Sequence, residues 1–142
     1  MAGRSRALDA PKKNGGLQDI FMEHTLRVFS GETLIFYSDG KWLYPLFELE
    51  DFLSTSGHDP AALTVRDKIV GRAAALLLIR LGIRDVRAGI MSKSGREALE
   101  KYDVKYEHDI LVERIDCRTE EMLGDEFDFD KAYAMLKQRA GR

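Results

Sequence analysis

The stretch from Ala62 to Tyr106 alternates strand-type and helix-type segments, and this order limits the folds open to the chain. Ala62–Val65 predicts a buried strand that runs into Arg66-Asp67-Lys68. Ile69–Leu81, rich in alanine and leucine, predicts an apolar helix that ends at Gly82. A buried strand followed directly by an apolar helix is the first half of a crossover between parallel strands.

The same order then repeats. Ile83–Ile90 predicts the next strand, and Ser94-Gly95-Arg96-Glu97 is a capping box that opens a helix closing near Lys101-Tyr102. Val104–Tyr106 predicts one more short strand. Because the links between these elements are short, we expect parallel neighbours joined by right-handed crossovers.

The segments before Ala62 predict a helix and a hairpin. Apolar residues spaced along Leu17–Phe29 favour an amphipathic helix. Thr33–Tyr37 and Trp42–Tyr44 are extended runs, and the Asp39-Gly40 pair between them is typical of a hairpin turn. Phe47–Leu53 then predicts a short helix.

The C-terminal part predicts a last helix over Phe129–Gln138, with Asp128 or Asp130 as its cap, while Leu111–Ile115 fits a strand or a helix equally well. The whole pattern predicts an α/β fold. We expect a three-layer α/β/α sandwich whose mixed sheet joins an antiparallel hairpin to parallel strands. Residues 1–16 are expected to be a flexible leader, and residues 17–142 a single domain.

Length and composition narrow the function. A chain of 142 residues with 44% hydrophobic and 32% charged residues is typical of one globular domain. No apolar run is long enough to cross a bilayer, and no signal sequence opens the chain, so we expect a cytoplasmic protein. The formal net charge of −2 argues against nucleic acid and anionic membranes as partners.

The sequence lacks the residue patterns that are typical of metal sites and of nucleophilic catalysis. The single cysteine, Cys117, excludes an internal disulfide. His24, His58 and His108 stand apart from one another and from Cys117, without the spacing of a zinc site. We therefore expect no metal and no cofactor, and no triad built on Cys117.

The two predicted strand-to-helix turns remain as the candidate site. Helix N-termini present unpaired backbone N–H groups and a partial positive charge, which favour anions. In open α/β sheets, ligands bind at the carboxyl ends of the strands, where both turns would lie. The candidate ligand-binding residues are Asp67, Lys68, Gly71, Arg72, Ser92, Lys93 and Ser94.

Three blocks of the chain carry a family resemblance: Asp67-Lys68-Ile69-Val70-Gly71-Arg72-Ala73-Ala74-Ala75, Ala88–Ser92 and Leu99–Tyr102. They resemble an uncharacterised prokaryotic family, the domain-of-unknown-function family numbered 1893, which is grouped with the cytidine deaminase-like fold. The resemblance runs from Leu17 to the C-terminus. It implies a cytidine deaminase-like α/β domain.

The chain departs from the deaminases at the positions that would hold zinc. Deaminases carry His-Ala-Glu or Cys-Ala-Glu at the first helix start and Pro-Cys-x-x-Cys at the second. Here the corresponding positions read Arg66-Asp67-Lys68 and Ser92-Lys93-Ser94-Gly95, and Asp116–Met122 departs from a Cys-Pro-x-Glu-like stretch of the family. The resemblance therefore implies the fold without deaminase activity.

Three functions stay open from the sequence. The first is binding of a small anionic or nucleotide-like ligand at the paired helix starts. The second is a metal-independent acid/base enzyme that uses Asp67 with Lys68 or Lys93. The third is a structural module that forms homo-oligomers.

Overall fold

In the part of the chain that the structure describes, a five-stranded mixed sheet packs with four α-helices. The computed structural model describes residues 24–115, 122–124 and 126–141. The strands are β1 (Leu26–Ser30), β2 (Thr33–Ser38), β3 (Leu63–Val70), β4 (Asp85–Ser92) and β5 (Lys105–Val112). The helices are α1 (Tyr44–Ser56), α2 (Arg72–Leu81), α3 (Lys93–Lys101) and α4 (Phe129–Ala140), and a 3-10 turn spans Pro60–Ala62.

The strands lie in the order β2-β1-β3-β4-β5. The pairs β3–β4 and β4–β5 are parallel, while β1 pairs antiparallel with both β2 and β3. Helices α2 and α3 connect the parallel strands. The predicted α/β class, the mixed sheet and the parallel crossovers are therefore confirmed.

The hairpin is formed by other strands than the sequence predicted. Strand β1 pairs with β2 around the two-residue loop Gly31-Glu32, where Gly31 has a φ of 63° that glycine adopts without strain. The helix predicted over Leu17–Phe29 is wrong for its described part, because Leu26 and Val28 are buried alternately in β1. Alternation of buried residues indicates a strand, and it outweighs the helical spacing here.

The strand predicted at Trp42–Tyr44 is also wrong. Tyr44 begins α1, and Pro45 occupies the first turn of that helix, where a missing backbone N–H has no cost. A proline at this point opposes a continuing central strand. The predicted helix at Phe47–Leu53 is confirmed as part of α1, which ends at Gly57 with a φ of 79°.

The boundary between β3 and α2 lies further along the chain than predicted. Strand β3 continues through the β-branched residues Ile69 and Val70, and α2 begins at Arg72 after Gly71. Arg66-Asp67-Lys68 therefore lies inside a strand rather than at a helix start. The helix predicted from Ile69 is three residues too long at its N-terminal end, because β-branched side chains favour the extended strand.

The N-cap of helix α3 lies two residues before the one that the predicted capping box implies. The cap is Ser92, whose buried Oγ accepts a hydrogen bond from the backbone N–H of Gly95 at 3.0 Å. Glu97, predicted to close a box with Ser94, instead forms an ion pair with Arg72. At the C-terminus, the predicted helix is confirmed, with Asp128 as its cap.

The core lies on one face of the sheet. Leu26, Val28, Val65, Val86 and Ala88 alternate along neighbouring strands and are buried there. All four helices lie on this side: α1 reaches the sheet through a ring contact between Phe52 and Phe36, and α4 packs on α2. A helical layer on the opposite face is not seen among the described residues and stays a prediction.

Strand β5 forms one edge of the sheet, and it alternates half-buried residues with exposed Lys105, Glu107 and Asp109. Within the described ranges, no helix is long and apolar enough to cross a membrane. The predicted leader, residues 1–16, and Cys117 lie outside the described residues.

Candidate functional site

A cavity of about 370 Å³ opens where β3 ends, α2 begins and β2 connects to α1. Its volume is within the range of small-molecule sites in proteins. The residues that line it are Thr25, Gly40, Lys41, Trp42, Leu43, Asp67, Lys68, Ile69, Gly71, Ala73, Ala74 and Ile115. Three of the seven predicted site residues, Asp67, Lys68 and Gly71, are among them.

Asp67 is the buried acid of this cavity. It lies in β3 opposite Leu26 of β1 and Ala88 of β4, and it is 8% exposed. Burial raises the pKa of its carboxyl group to about 7, although hydrogen bonds from the backbone N–H groups of Ile69 and Lys68 oppose the rise. Asp67 can therefore exchange a proton near neutral pH.

Two lysines add positive charge to the cavity wall. Lys68 follows Asp67 in β3, where its backbone N–H donates to the carbonyl of Thr25 at 3.0 Å. Lys41 is exposed and belongs to the connection between β2 and α1. The cavity thus combines ammonium groups with one buried carboxyl group.

The N-terminus of α2 faces the same cavity. Gly71 is the N-cap and provides no side-chain hydrogen bond, and Ala73 and Ala74 of the first turn line the wall. The first backbone N–H groups of a helix have no partner within the helix, and Gly71 has no side chain that could cap them. The start of α2 is suited to an anion.

Arg72 is buried but lies outside the cavity lining. Its guanidinium group donates to the backbone carbonyl of Glu126 at 3.0 Å and to Glu97 Oε1 at 3.0 Å. It also lies over the ring of Phe127, 4.2 Å from the centroid. Arg72 therefore joins α2 to α3 and to the segment before α4.

The predicted residues at the start of α3 also lie outside the lining. Ser92 Oγ caps the helix and is 3.1 Å from Ser94 Oγ, and Lys93 Nζ pairs with Glu113 at 3.1 Å. The two helix starts nevertheless touch, because the backbone of Gly95 packs directly on that of Gly71. The structure brings the two turns together, and the cavity opens beside the first.

The sequence match now identifies the family. The family described as domain of unknown function (DUF1893) matches residues 19–138. The chain belongs to the DUF1893 family. A solved structure of a DUF1893 family protein (TM1506) from Thermotoga maritima has a TM-score of 0.71 at 23% identity, over 81% of this chain and 80% of that chain. That likeness shows the fold, and no curated protein matches the chain.

Two residues of the cavity in this DUF1893 domain, Trp42 and Ile69, were not predicted as site residues. Both line the cavity and are exposed, Trp42 by 37% and Ile69 by 45%. The hairpin predicted around Asp39-Gly40 placed Trp42 in a strand, and the long helix predicted from Ile69 placed that residue in a helix. The signal that could have found Trp42 is its position between Gly40 and Pro45, two residues that are typical of turns and helix starts.

Potential metal ligands are dispersed in the part of the DUF1893 domain that the structure describes. His24 Nδ1 is 2.7 Å from Asp39 Oδ1, His58 follows α1, and His108 lies in β5. Over residues 24–115, 122–124 and 126–141, no group of three or more His, Cys, Asp or Glu side chains is arranged to hold a metal ion. Cys117 lies outside these ranges.

Proposed function

We propose that this DUF1893 domain binds a small anionic or nucleotide-like ligand in the cavity at the start of α2. The observation that carries the proposal is the coincidence of three features in one cavity: the first turn of α2, whose N-cap is a glycine, Lys41 and Lys68. Backbone N–H groups and ammonium groups together favour a phosphate or carboxylate. The apolar part of the wall accepts the remainder of the ligand.

The start of α3 has a different role in this proposal. The hydroxyl group of Ser92 is used as the helix cap, and Lys93 is paired with Glu113. We assign the anion to Gly71, Lys68 and the first turn of α2, with Ser92, Lys93 and Ser94 supporting that turn through the Gly95 contact.

A binding measurement with a matched pair of lysines tests the proposal. Thermal shift and calorimetry are run with inorganic phosphate and ribose 5-phosphate on the wild type, Lys68→Met and Lys93→Met. We expect Lys68→Met to weaken binding about tenfold or more, since a charged hydrogen bond contributes roughly 1.5–3 kcal/mol. Lys93→Met should bind as the wild type does.

Two results would contradict this assignment. A loss in Lys93→Met with normal binding by Lys68→Met would move the ligand to the start of α3. Failure of every phosphate compound to bind the wild type at millimolar concentration would overturn the anion site.

The same proposal includes a cytidine deaminase-like, three-layer fold without deaminase activity. Support comes from the mixed sheet and from the residues at the first helix start, which read Gly71-Arg72-Ala73 now that α2 is known to begin at Arg72. These residues, like Ser92-Lys93-Ser94-Gly95, include no zinc ligand and no glutamate to transfer protons. Incubation with cytidine and adenosine should release no ammonia.

A metal-independent acid/base enzyme is the second candidate, favoured by the buried Asp67 in the cavity. A carboxyl group with a pKa of about 7 is matched to proton transfer at neutral pH. Lys68 lines the same cavity as Asp67 and is the partner acid in this case. A screen for turnover in the presence of EDTA tests this candidate: activity should disappear in Asp67→Asn.

A further inference from the structure

Exposed large apolar side chains of the described residues concentrate at the mouth of the cavity. They are Trp42, Tyr44 and Ile69. Trp42 and Ile69 line the cavity, and the ring of Tyr44 meets that of Trp42 edge-on at 5.3 Å. A contiguous patch of exposed apolar surface with a polar rim is typical of a binding site.

The backbone of Trp42 is held in an unusual conformation. Its φ of 57° lies in the left-handed region, which bulky side chains rarely adopt. Hydrogen bonds on both sides fix the connection: Gly40 N–H donates to Ser38 Oγ at 3.1 Å, and Tyr44 N–H donates to the carbonyl of Lys41 at 3.2 Å. Such conformations persist where the surroundings enforce them, and they cluster at ligand sites.

We infer that Trp42 and Ile69 receive a planar heteroaromatic ring of the ligand, and that Asp67 accepts a hydrogen bond from an N–H group of that ring. The inference rests on the proposed function in using the same cavity, and it adds the part of the ligand that the anion site does not recognise. Stacking on an indole ring is favourable for any nucleobase, because every base presents a π-face.

The burial of Asp67 supports the hydrogen-bond part. A buried carboxyl group needs partners, and the two backbone N–H groups that it accepts leave acceptor positions on its oxygens for a ligand. A ring on Trp42, an N–H group at Asp67 and an anion at the start of α2 describe one chemical class. That class is a nucleoside monophosphate or a similar ring-bearing phosphate.

Trp42 is the single tryptophan of the chain, so its fluorescence reports on the cavity mouth alone. The wild type is titrated with adenosine 5′-monophosphate, adenosine, ribose 5-phosphate and purine riboside 5′-monophosphate, which lacks an exocyclic N–H group. We expect saturable quenching by the ring-bearing compounds and none by ribose 5-phosphate. Adenosine 5′-monophosphate should bind several times more tightly than the purine riboside compound.

Matched variants separate the contributions by calorimetry. Trp42→Ala should weaken adenosine 5′-monophosphate tenfold or more, with ribose 5-phosphate unchanged. Tyr106→Ala removes a ring in β5, away from the residues that line the cavity, and should change neither. Asp67→Leu, similar in size, should erase the preference for the exocyclic N–H group, and Asp67→Asn should restore part of it because its amide oxygen still accepts.

The outcomes distinguish this inference from the proposed function. Equal affinity for ribose 5-phosphate and adenosine 5′-monophosphate would overturn the ring site and leave the anion site standing. Quenching by adenosine with no binding of any phosphate compound would support the ring site and overturn the anion site. If Trp42→Ala changes the elution volume of the protein but no ligand affinity, the exposed rings serve self-association and the inference is overturned.

Discussion

Helices α2 and α3 begin in equivalent positions, each directly after a parallel strand, yet their first turns are completed in different ways. At the start of α3, the buried hydroxyl group of Ser92 accepts the backbone N–H of Gly95. At the start of α2, Gly71 offers no side chain, and the turn faces a cavity. The start of α3 is capped by its own serine, whereas the start of α2 has a glycine N-cap beside a cavity.

This difference shows that two helix starts at one edge of a sheet need not form one symmetric site. A serine N-cap removes the unpaired donor that an anion would use, whereas a glycine N-cap leaves it available. Gly71 lines the cavity of about 370 Å³ and the residues at the start of α3 do not, although the backbones of Gly71 and Gly95 are in contact.

The largest expected effect on stability concerns Asp67, the buried acid beside the start of α2. Folding raises the pKa of Asp67 from 3.8 to about 7. Between about pH 4 and about pH 7, the carboxyl group is therefore protonated in the folded state and ionised in the unfolded state. The contribution of Asp67 to stability is therefore present below about pH 4 and is lost as the pH rises towards 7, by up to about 4 kcal/mol. Asp67→Asn should be more stable than the wild type at pH 8 and similar at pH 4, as measured by urea unfolding. Equal differences at both pH values would contradict the raised pKa.

The contact between the two starts gives the next effect. A methyl group at Gly95 would lie 2.9 Å from the backbone carbon of Gly71 and 2.9 Å from the carbonyl oxygen of Val70. Backbone atoms cannot move aside as a flexible side chain can, so Gly95→Ala should lower the free energy of unfolding by about 3 kcal/mol. Ser94→Ala, one residue away, serves as the control and should lose less than about 1 kcal/mol. A Gly95→Ala variant as stable as the wild type would show that the helix starts can separate freely.

Removing the serine cap at the start of α3 should have a smaller effect on stability. Ser92→Ala leaves the N–H of Gly95 without its side-chain partner in a buried position, and should cost about 1–2 kcal/mol. Chemical denaturation measures this loss. Phosphate binding at α2 should persist in the variant, and its disappearance would mean that the two starts act as one site.

The smallest effect on stability should come from adding a side-chain cap at the start of α2. Gly71→Ser would supply a cap like Ser92, since the backbone of Gly71 has the extended conformation of an N-cap, with a φ of −102°. Serine exceeds glycine as a cap by only about a few tenths of a kcal/mol, so the gain in stability should be small. Ligand affinity should fall at the same time, because the new hydroxyl group competes for the same N–H groups. A variant that binds phosphate more tightly would place the anion elsewhere.

The parallel part of the fold could be predicted from the sequence because the local sequence patterns there all favour the same elements. Apolar strands, an alanine- and leucine-rich helix and glycine stops all favour the same elements around α2, so the crossovers were predicted correctly. Around β1 and α1 the signals conflict: Asp39-Gly40 is typical of a hairpin, but the alternation at Leu26 and Val28 selects Gly31-Glu32 instead. Burial in the sheet decides between the two turns, and one sequence does not show burial.

The candidate site was predicted in part for a related reason. Asp67, Lys68 and Gly71 lie next to the strand-to-helix boundary, and an error of a few residues in that boundary still leaves them near the cavity. Trp42 comes from a connection more than twenty residues away in the chain, and only the packing of that connection beside β3 brings it to the cavity. Arg72 has the charge expected of a phosphate-binding residue. Its guanidinium group, however, donates hydrogen bonds to Glu97 Oε1 and to the backbone carbonyl of Glu126.

The charged edge strand has a consequence for the behaviour of the protein at high concentration. An edge strand presents backbone hydrogen-bonding groups to which strands of other molecules can add, and this addition leads to aggregation. Along β5, exposed Lys105, Glu107 and Asp109 occupy every second position. An incoming strand would have to desolvate these charges to pair with β5. The sheet therefore resists growth by addition of further strands at the β5 edge.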